Sequence, residues 1–94
     1  MTLDMQSVIS RNESGHLSNP VGDEIILLNM QTGDYLGLNS VGAAIWDSLG
    51  SPQQVQALVV GLMAAFDVDE ATCKSETMAY LERIRSLDLL RIHE

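Results

Sequence analysis

The spacing of apolar positions changes period along this chain. Residues 24–30, EIILLNM, are apolar almost without interruption, which predicts a strand buried on both faces or nearly so. Thr32-Gly33-Asp34 then supplies a glycine able to take positive φ, so residues 34–38, DYLGL, fold back as its antiparallel partner. Gly37 inside that second strand predicts a bulge, or a point where another backbone comes close.

From residue 39 the period becomes helical. Asn39 or Ser40 caps a first helix that ends at Gly50, with Val41, Ala44, Ile45 and Leu49 on one face. Ser51-Pro52-Gln53-Gln54 combines a cap, a proline at the first helical position and a glutamine three residues after the cap, predicting a second helix over 52–66. Val55, Leu58, Val59, Leu62, Met63 and Phe66 recur along it. A third helix starts at Asp69, with Val68 and Cys73 as a hydrophobic staple and Glu70 and Lys74 as a favourable i,i+4 pair. Its stripe is Cys73, Thr77, Tyr80, Leu81, Ile84 and Leu87, and Asp88 stops it.

The ends are weaker in pattern. Residues 5–10, MQSVIS, read as an edge strand around Val8-Ile9, and residues 89–92 as a short extended tail. Residues 11–22, RNESGHLSNPVG, mix polar, Gly and Pro residues without periodicity and read as a loop. Three strands ahead of three helices indicate an α+β fold, winged-helix-like, with a three-stranded antiparallel sheet followed by three helices. At 94 residues, 1–94 is expected to be a single domain with one modest core and little room for an elaborate catalytic cleft.

Composition narrows the function. Apolar residues are 46% of the chain and charged ones 19%, as in an ordered globular protein. Five basic residues against 13 acidic ones give a formal charge of -8, and no Lys or Arg occurs between Asn12 and Cys73. Such a surface repels phosphate. Arg83, Arg85 and Arg91 gather around the end of the last helix, where they suit its dipole, so a nucleic-acid partner is not expected. A single cysteine excludes an internal disulfide; the start of the chain does not read as a secretory leader, and its longest apolar run is too short to span a bilayer. A cytoplasmic protein without a membrane role is the expectation.

Chemistry is sparse. His16, His93 and Cys73 assemble no metal site at recognised spacing, so neither a metal nor a cofactor is expected. Asp34, Asp67 and Asp69 occur at turns and caps, where backbone reasons suffice. Cys73 lies near a helix N-terminus, which would favour a thiolate, but its place in the stripe favours a small buried hydrophobe. No phosphate loop or nucleophile elbow is present, and an enzyme is not expected. A binding surface remains. If residues 34–38 form a sheet edge, their free N–H and C=O groups can accept an extended peptide as an added strand. The third helix would form the other wall, with Glu76, Tyr80 and Arg83 on one face. Tyr80 reads equally as core, and Trp46 reads as a core anchor before a contact.

The strand Leu27 to Asn29, the turn TGDYLGLN, the helix VGAAIWDSLG, the element FDVD at 66–69 and the ending from Tyr80 to Leu90 together resemble the PqqD-like family of peptide-recognition domains. These are the elements that present a ribosomal precursor peptide to its modifying enzymes. The wording around the turn is most similar to stand-alone leader-binding proteins of split lasso-peptide systems. The pyrroloquinoline quinone member typically has Cys-Asp-Gly after the first helix, where this chain has Ser48-Leu49-Gly50.

The resemblance implies uptake of a leader peptide as an antiparallel strand between the third strand and third helix. It further implies delivery to a transglutaminase-like leader peptidase, followed by a cyclase. Carried onto this chain, the groove comprises Asp34, Tyr35, Leu36, Gly37 and Leu38 with Cys73, Glu76, Thr77, Tyr80, Arg83 and Ile84, and Leu27 with Leu36 as its floor. Apolar walls suit aromatic, Pro or Leu anchors, and the acidic domain suits Lys or Arg elsewhere in the leader. Two alternatives stay open: a winged-helix DNA-binding regulator, and a PqqD-type chaperone for a radical-SAM peptide-modifying enzyme.

Overall fold

Two three-stranded antiparallel sheets and three helices make up the computed structural model, which describes residues 3–93. In chain order the elements are β1 (Val8–Arg11), β2 (His16–Val21), β3 (Glu24–Asn29), β4 (Tyr35–Leu38), α1 (Ser40–Ser48), β5 (Gln53–Gln54), α2 (Val55–Ala65), α3 (Glu70–Ser86) and β6 (Leu90–His93). The α+β character and the three helices agree with the sequence pattern, while the strands are more numerous and divided between two sheets.

The first sheet has the order β2-β3-β4. Its β2–β3 turn is Gly22-Asp23, with Gly22 at φ 65, the first-position glycine of a hairpin turn that matches strand twist. Asn29 organises the β3–β4 turn. Its side-chain oxygen accepts from the N–H groups of Gln31 and Thr32, and Gly33 at φ 81 donates to the Asn29 carbonyl. The expectation of a strand buried on both faces is corrected: Ile25 and Leu27 point into the core, whereas Ile26 and Leu28 on the opposite face are exposed. Alternation of faces along a strand requires this once only one face is covered by helices. The expected loop over 11–22 is also corrected, since its second half is β2, paired with the whole of β3.

The second sheet has the order β5-β1-β6. The edge position expected for residues 5–10 is corrected: β1 is the central strand, with Ile9 fully buried. The extended tail is β6, whose Leu90 lies opposite Arg11. The second helix starts later than Ser51-Pro52 predicts, because Gln53 and Gln54 are used as a strand. In place of a side-chain cap, the first-turn N–H groups of Val55 and Gln56 donate to the carbonyls of Ser7 and Met5.

The N-caps of helices α1 and α3 follow their sequence signals. Asn39 accepts from the Gly42 N–H at 2.9 Å and Asp69 from the Thr72 N–H at 3.1 Å. Helix α3 ends in a Schellman arrangement, with Leu89 N–H donating to the Ile84 carbonyl and Asp88 N–H to that of Arg85. Asp88 takes the left-handed position there, at φ 61. The α1 core face is rotated from the expected one: Gly42, Ala43, Ile45 and Trp46 are buried, while Val41 is exposed. Trp46 is a core anchor, 1% exposed, with the Arg11 guanidinium 5.5 Å from its ring centroid and donating to its carbonyl at 3.0 Å. Ile45, Leu49, Val55, Val59, Leu81, Ile84 and Leu89 are buried in the same core cluster.

Candidate functional site

An antiparallel ladder alternates residues that bond across it with residues whose amide groups face away. In the first sheet the phase is fixed at both ends of β3. Asn29 N–H donates to the Asp34 carbonyl at 2.8 Å, so Leu36 and Leu38 bond to β3 and the amides of Tyr35 and Gly37 face outward. On the other side Met30 N–H donates to the Gly15 carbonyl at 3.0 Å, which places Pro20, opposite Ile25, among the outward-facing positions of β2. A proline has no N–H to offer a further strand. The β2 edge is therefore blunted at its centre, and β4 is the edge able to accept a guest.

The β4 edge faces α3 across open space. A cleft of about 130 Å³ is lined by Leu36, Gly37, Leu38, Asn39, Tyr80 and Arg83. A second, of about 260 Å³, lies toward the hairpin turn, shares Leu36 and Arg83 with the first, and adds Leu27, Asp34, Tyr35, Leu87 and Leu89. At the opposite end a pocket of about 220 Å³ shares Asn39 and Tyr80 with the central cleft and reaches the apolar side chains of Ile45, Leu62, Phe66 and Val68. The three run in series along α3. Glu76, Tyr80, Arg83 and Leu87, spaced four, three and four residues apart, form the single helical face that walls them.

Most of the sequence-expected groove residues meet here. Leu27, Asp34, Tyr35, Leu36, Gly37, Leu38, Tyr80 and Arg83 line the central or hairpin-side cleft, and Cys73, Glu76 and Thr77 the apolar end pocket. Ile84 is placed differently: it is fully buried, lines none of these spaces and lies on the core-facing side of α3. Cys73 is buried, with Sγ 3.8 Å from the Val59 carbonyl and 3.9 Å from Thr77 Oγ1, which agrees with a small core residue. Gly37 shows neither bulge nor close backbone neighbour; its register is regular and nothing lies within 4 Å of where a Cβ would stand. A Cβ there would stand on the uncovered face beside Ile26, so Gly37 lines the cleft with its backbone alone.

The glycine that does permit a close approach is Gly42. A Cβ there would lie 3.1 Å from Tyr80 Cε2, and the Tyr80 hydroxyl donates to the Gly42 carbonyl at 3.3 Å. Burial raises the Tyr80 pKa far above its usual value, with Arg83 opposing the shift, so the phenol stays neutral. The ring divides the apolar pocket from the central cleft. Sequence reasoning did not find the end pocket's remote lining of Leu62, Phe66 and Val68, nor Leu87 and Leu89 in the hairpin-side cleft. The sequence pattern marks all five as apolar, Leu62, Phe66 and Leu87 by helical spacing, Val68 as a staple and Leu89 as the start of the tail, but not which cavity each faces.

The other face of the first sheet is uncovered. Leu17, Ile26, Leu28 and Tyr35 form an exposed apolar patch on it, and Tyr35, 76% exposed, belongs both to this patch and to the groove. Among the described residues no group of three or more His, Cys, Asp or Glu could hold a metal ion, and no helix is long and apolar enough to cross a membrane.

A fold of this kind, with an open strand edge set against a helix, defines a class of peptide-docking scaffold. Residues 24–90 match the model of the family described as coenzyme PQQ synthesis protein D, PqqD, and the chain belongs to that family. Among solved structures it is similar to "TbiB1 in Complex with the TbiA(beta) Leader Peptide", with a TM-score of 0.75 and 29% identity over 90% of this chain and 98% of that one. No curated protein matches it.

Proposed function

We propose that this protein binds the leader segment of a ribosomal precursor peptide, takes it up as an antiparallel strand on β4, and delivers it to the enzymes of a lasso-peptide pathway. The observation that carries this reading is the unblunted β4 edge with its outward Tyr35 and Gly37 amides, facing clefts walled by one face of α3. The similarity to TbiB1, solved with a leader peptide, supports the same use of the fold. Backbone pairing supplies affinity, and the flanking pockets select side chains. An antiparallel guest enters beside Leu38, sets an apolar residue in the pocket of Ile45, Leu62, Phe66 and Val68, and leaves beside Tyr35 over Leu27, Leu36 and Leu87.

The protein acts by presentation and not by catalysis. Ordering a disordered leader costs about 2 to 5 kcal/mol, which sets the expected affinity between micromolar and nanomolar. Delivery requires a second surface, and the apolar patch of Leu17, Ile26 and Leu28 beside Tyr35 is where this reading puts the partner, a transglutaminase-like leader peptidase, with a cyclase acting next. A PqqD-type role beside a radical-SAM enzyme would use the same groove; Ser48-Leu49-Gly50 in place of Cys-Asp-Gly favours the lasso pathway.

The test is titration of the chain with the leader of a short precursor encoded beside it, followed by NMR. Shifts at Tyr35, Gly37 and the Glu76–Leu87 face of α3 are expected. Shifts confined to β2 or α2 would refute the reading.

A further inference from the structure

We propose that the peptide taken up by this groove carries an acidic side chain, Asp or Glu, that pairs with Arg83 between two apolar anchors. The inference rests on the strand-addition reading above and specifies the chemistry of its ligand. Among the described residues the other cations all have partners. Arg11 pairs with Glu13 at 3.1 Å, Lys74 with Glu70 at 3.5 Å and Arg85 with Glu82 at 3.3 Å, while Arg91 donates to Asn12 Oδ1 at 3.2 Å. The Arg83 guanidinium makes no ion pair or hydrogen bond with any described residue, in a chain whose formal charge is -8. Asp34 shares the larger cleft with it, but no ion pair joins the two.

Position makes that free guanidinium informative. Arg83 lines both the central and the hairpin-side clefts, so a guest strand on β4 must pass it. On one side of it lies the apolar end pocket beyond Tyr80, and on the other the Leu27, Leu36, Leu87 and Leu89 surface. A guest carboxylate there gains a planar, fork-shaped donor that a flanking apolar residue could not use. Elsewhere the acidic surface repels such a group, so the acidic preference is confined to one position of the guest, in contrast to the basic residues that suit the surface as a whole.

The test pans a random-peptide display library against the full chain and, in parallel, against Arg83→Glu, Arg83→Gln and Gly37→Pro variants. Arg83 is exposed and outside the core, so its variants fold. The expected result is a set of peptides, lost on Gly37→Pro, with Asp or Glu enriched at one position between two apolar ones. That preference switches to Lys or Arg on Arg83→Glu and vanishes on Arg83→Gln. For one synthesised winner, Arg83→Glu weakens binding about tenfold, and replacing the peptide's acidic residue by Lys restores most of the loss, a compensation that a merely structural role for Arg83 would not give. Winners lost on Gly37→Pro but without a charge preference, or with the same preference on Arg83→Glu, overturn this inference and leave strand addition standing. No winners, or winners indifferent to Gly37→Pro, overturn both.

Discussion

Replacing Gly37 by proline removes one outward N–H from the β4 edge and leaves the β3–β4 ladder intact. Gly37 stands opposite Ile26 at a position that does not bond across the ladder, and a Cβ there meets nothing within 4 Å. A proline on an outward-facing edge position is tolerated, so folding stability should stay within about 1 kcal/mol of the parent. Binding should not. A guest carbonyl left without its donor costs about 1 to 3 kcal/mol, or a roughly 5- to 150-fold rise in Kd. The pyrrolidine ring also occupies the line of approach of the guest backbone. Fluorescence anisotropy with a labelled leader peptide measures the affinity, and urea denaturation followed by circular dichroism measures the stability. Gly37→Ala, which keeps the N–H, is the control and should bind within a fewfold of the parent. A Gly37→Pro variant that is folded and binds the leader as tightly as the parent would refute strand addition at β4.

Three further outcomes follow from the packing and the caps. Gly42→Ala gains up to about 1 kcal/mol of helix propensity but pushes on Tyr80, 3.1 Å away, whose ring can yield only into the groove. Stability should change by less than about 1 kcal/mol while leader binding weakens; lost stability with unchanged binding would contradict the role given to Tyr80. Asp88→Gly relieves a left-handed position at φ 61 and should stabilise by about 1 kcal/mol in urea denaturation, whereas a destabilised variant would show that the Asp88 side chain matters more than its backbone. Asp69 has its pKa lowered below 3.8, first by the Thr72 hydroxyl and then by the Thr72 N–H. A depressed folded pKa stabilises above the unfolded value and the benefit is lost as pH falls through the folded one, so Asp69→Asn should flatten the acid limb below about pH 4. An unchanged limb would remove Asp69 as its source.

What the sequence made legible was local. The Thr32-Gly33-Asp34 turn, the Asn39 and Asp69 caps and the Glu76, Tyr80, Arg83 face of α3 each depend on residues within a few positions of one another. What stayed hidden depends on distant partners. β2 contains Ser18, Asn19 and Pro20 and is exposed along most of its length, so no apolar alternation marks it; its pairing with β3 makes it a strand. Gln53-Gln54 carries a helix-start signal that β1 overrides, with the carbonyls of Ser7 and Met5 capping α2 in place of Ser51. Gly42 carries no signal of its own in the sequence, and its lack of a side chain lets Tyr80, 38 residues away, lie against α1. Pro20 demoted its segment to a loop, while in the structure it is what distinguishes the closed edge of the sheet from the open one.

Amide hydrogen exchange of the chain with and without bound leader peptide addresses the central claim most directly. Strand addition predicts that the Tyr35 and Gly37 amides, outward-facing in the free protein, become strongly protected, while those of Leu36 and Leu38, already bonded to β3, change little. Tyr35 and Gly37 amides that exchange as fast in the saturated complex as in the free protein would contradict it.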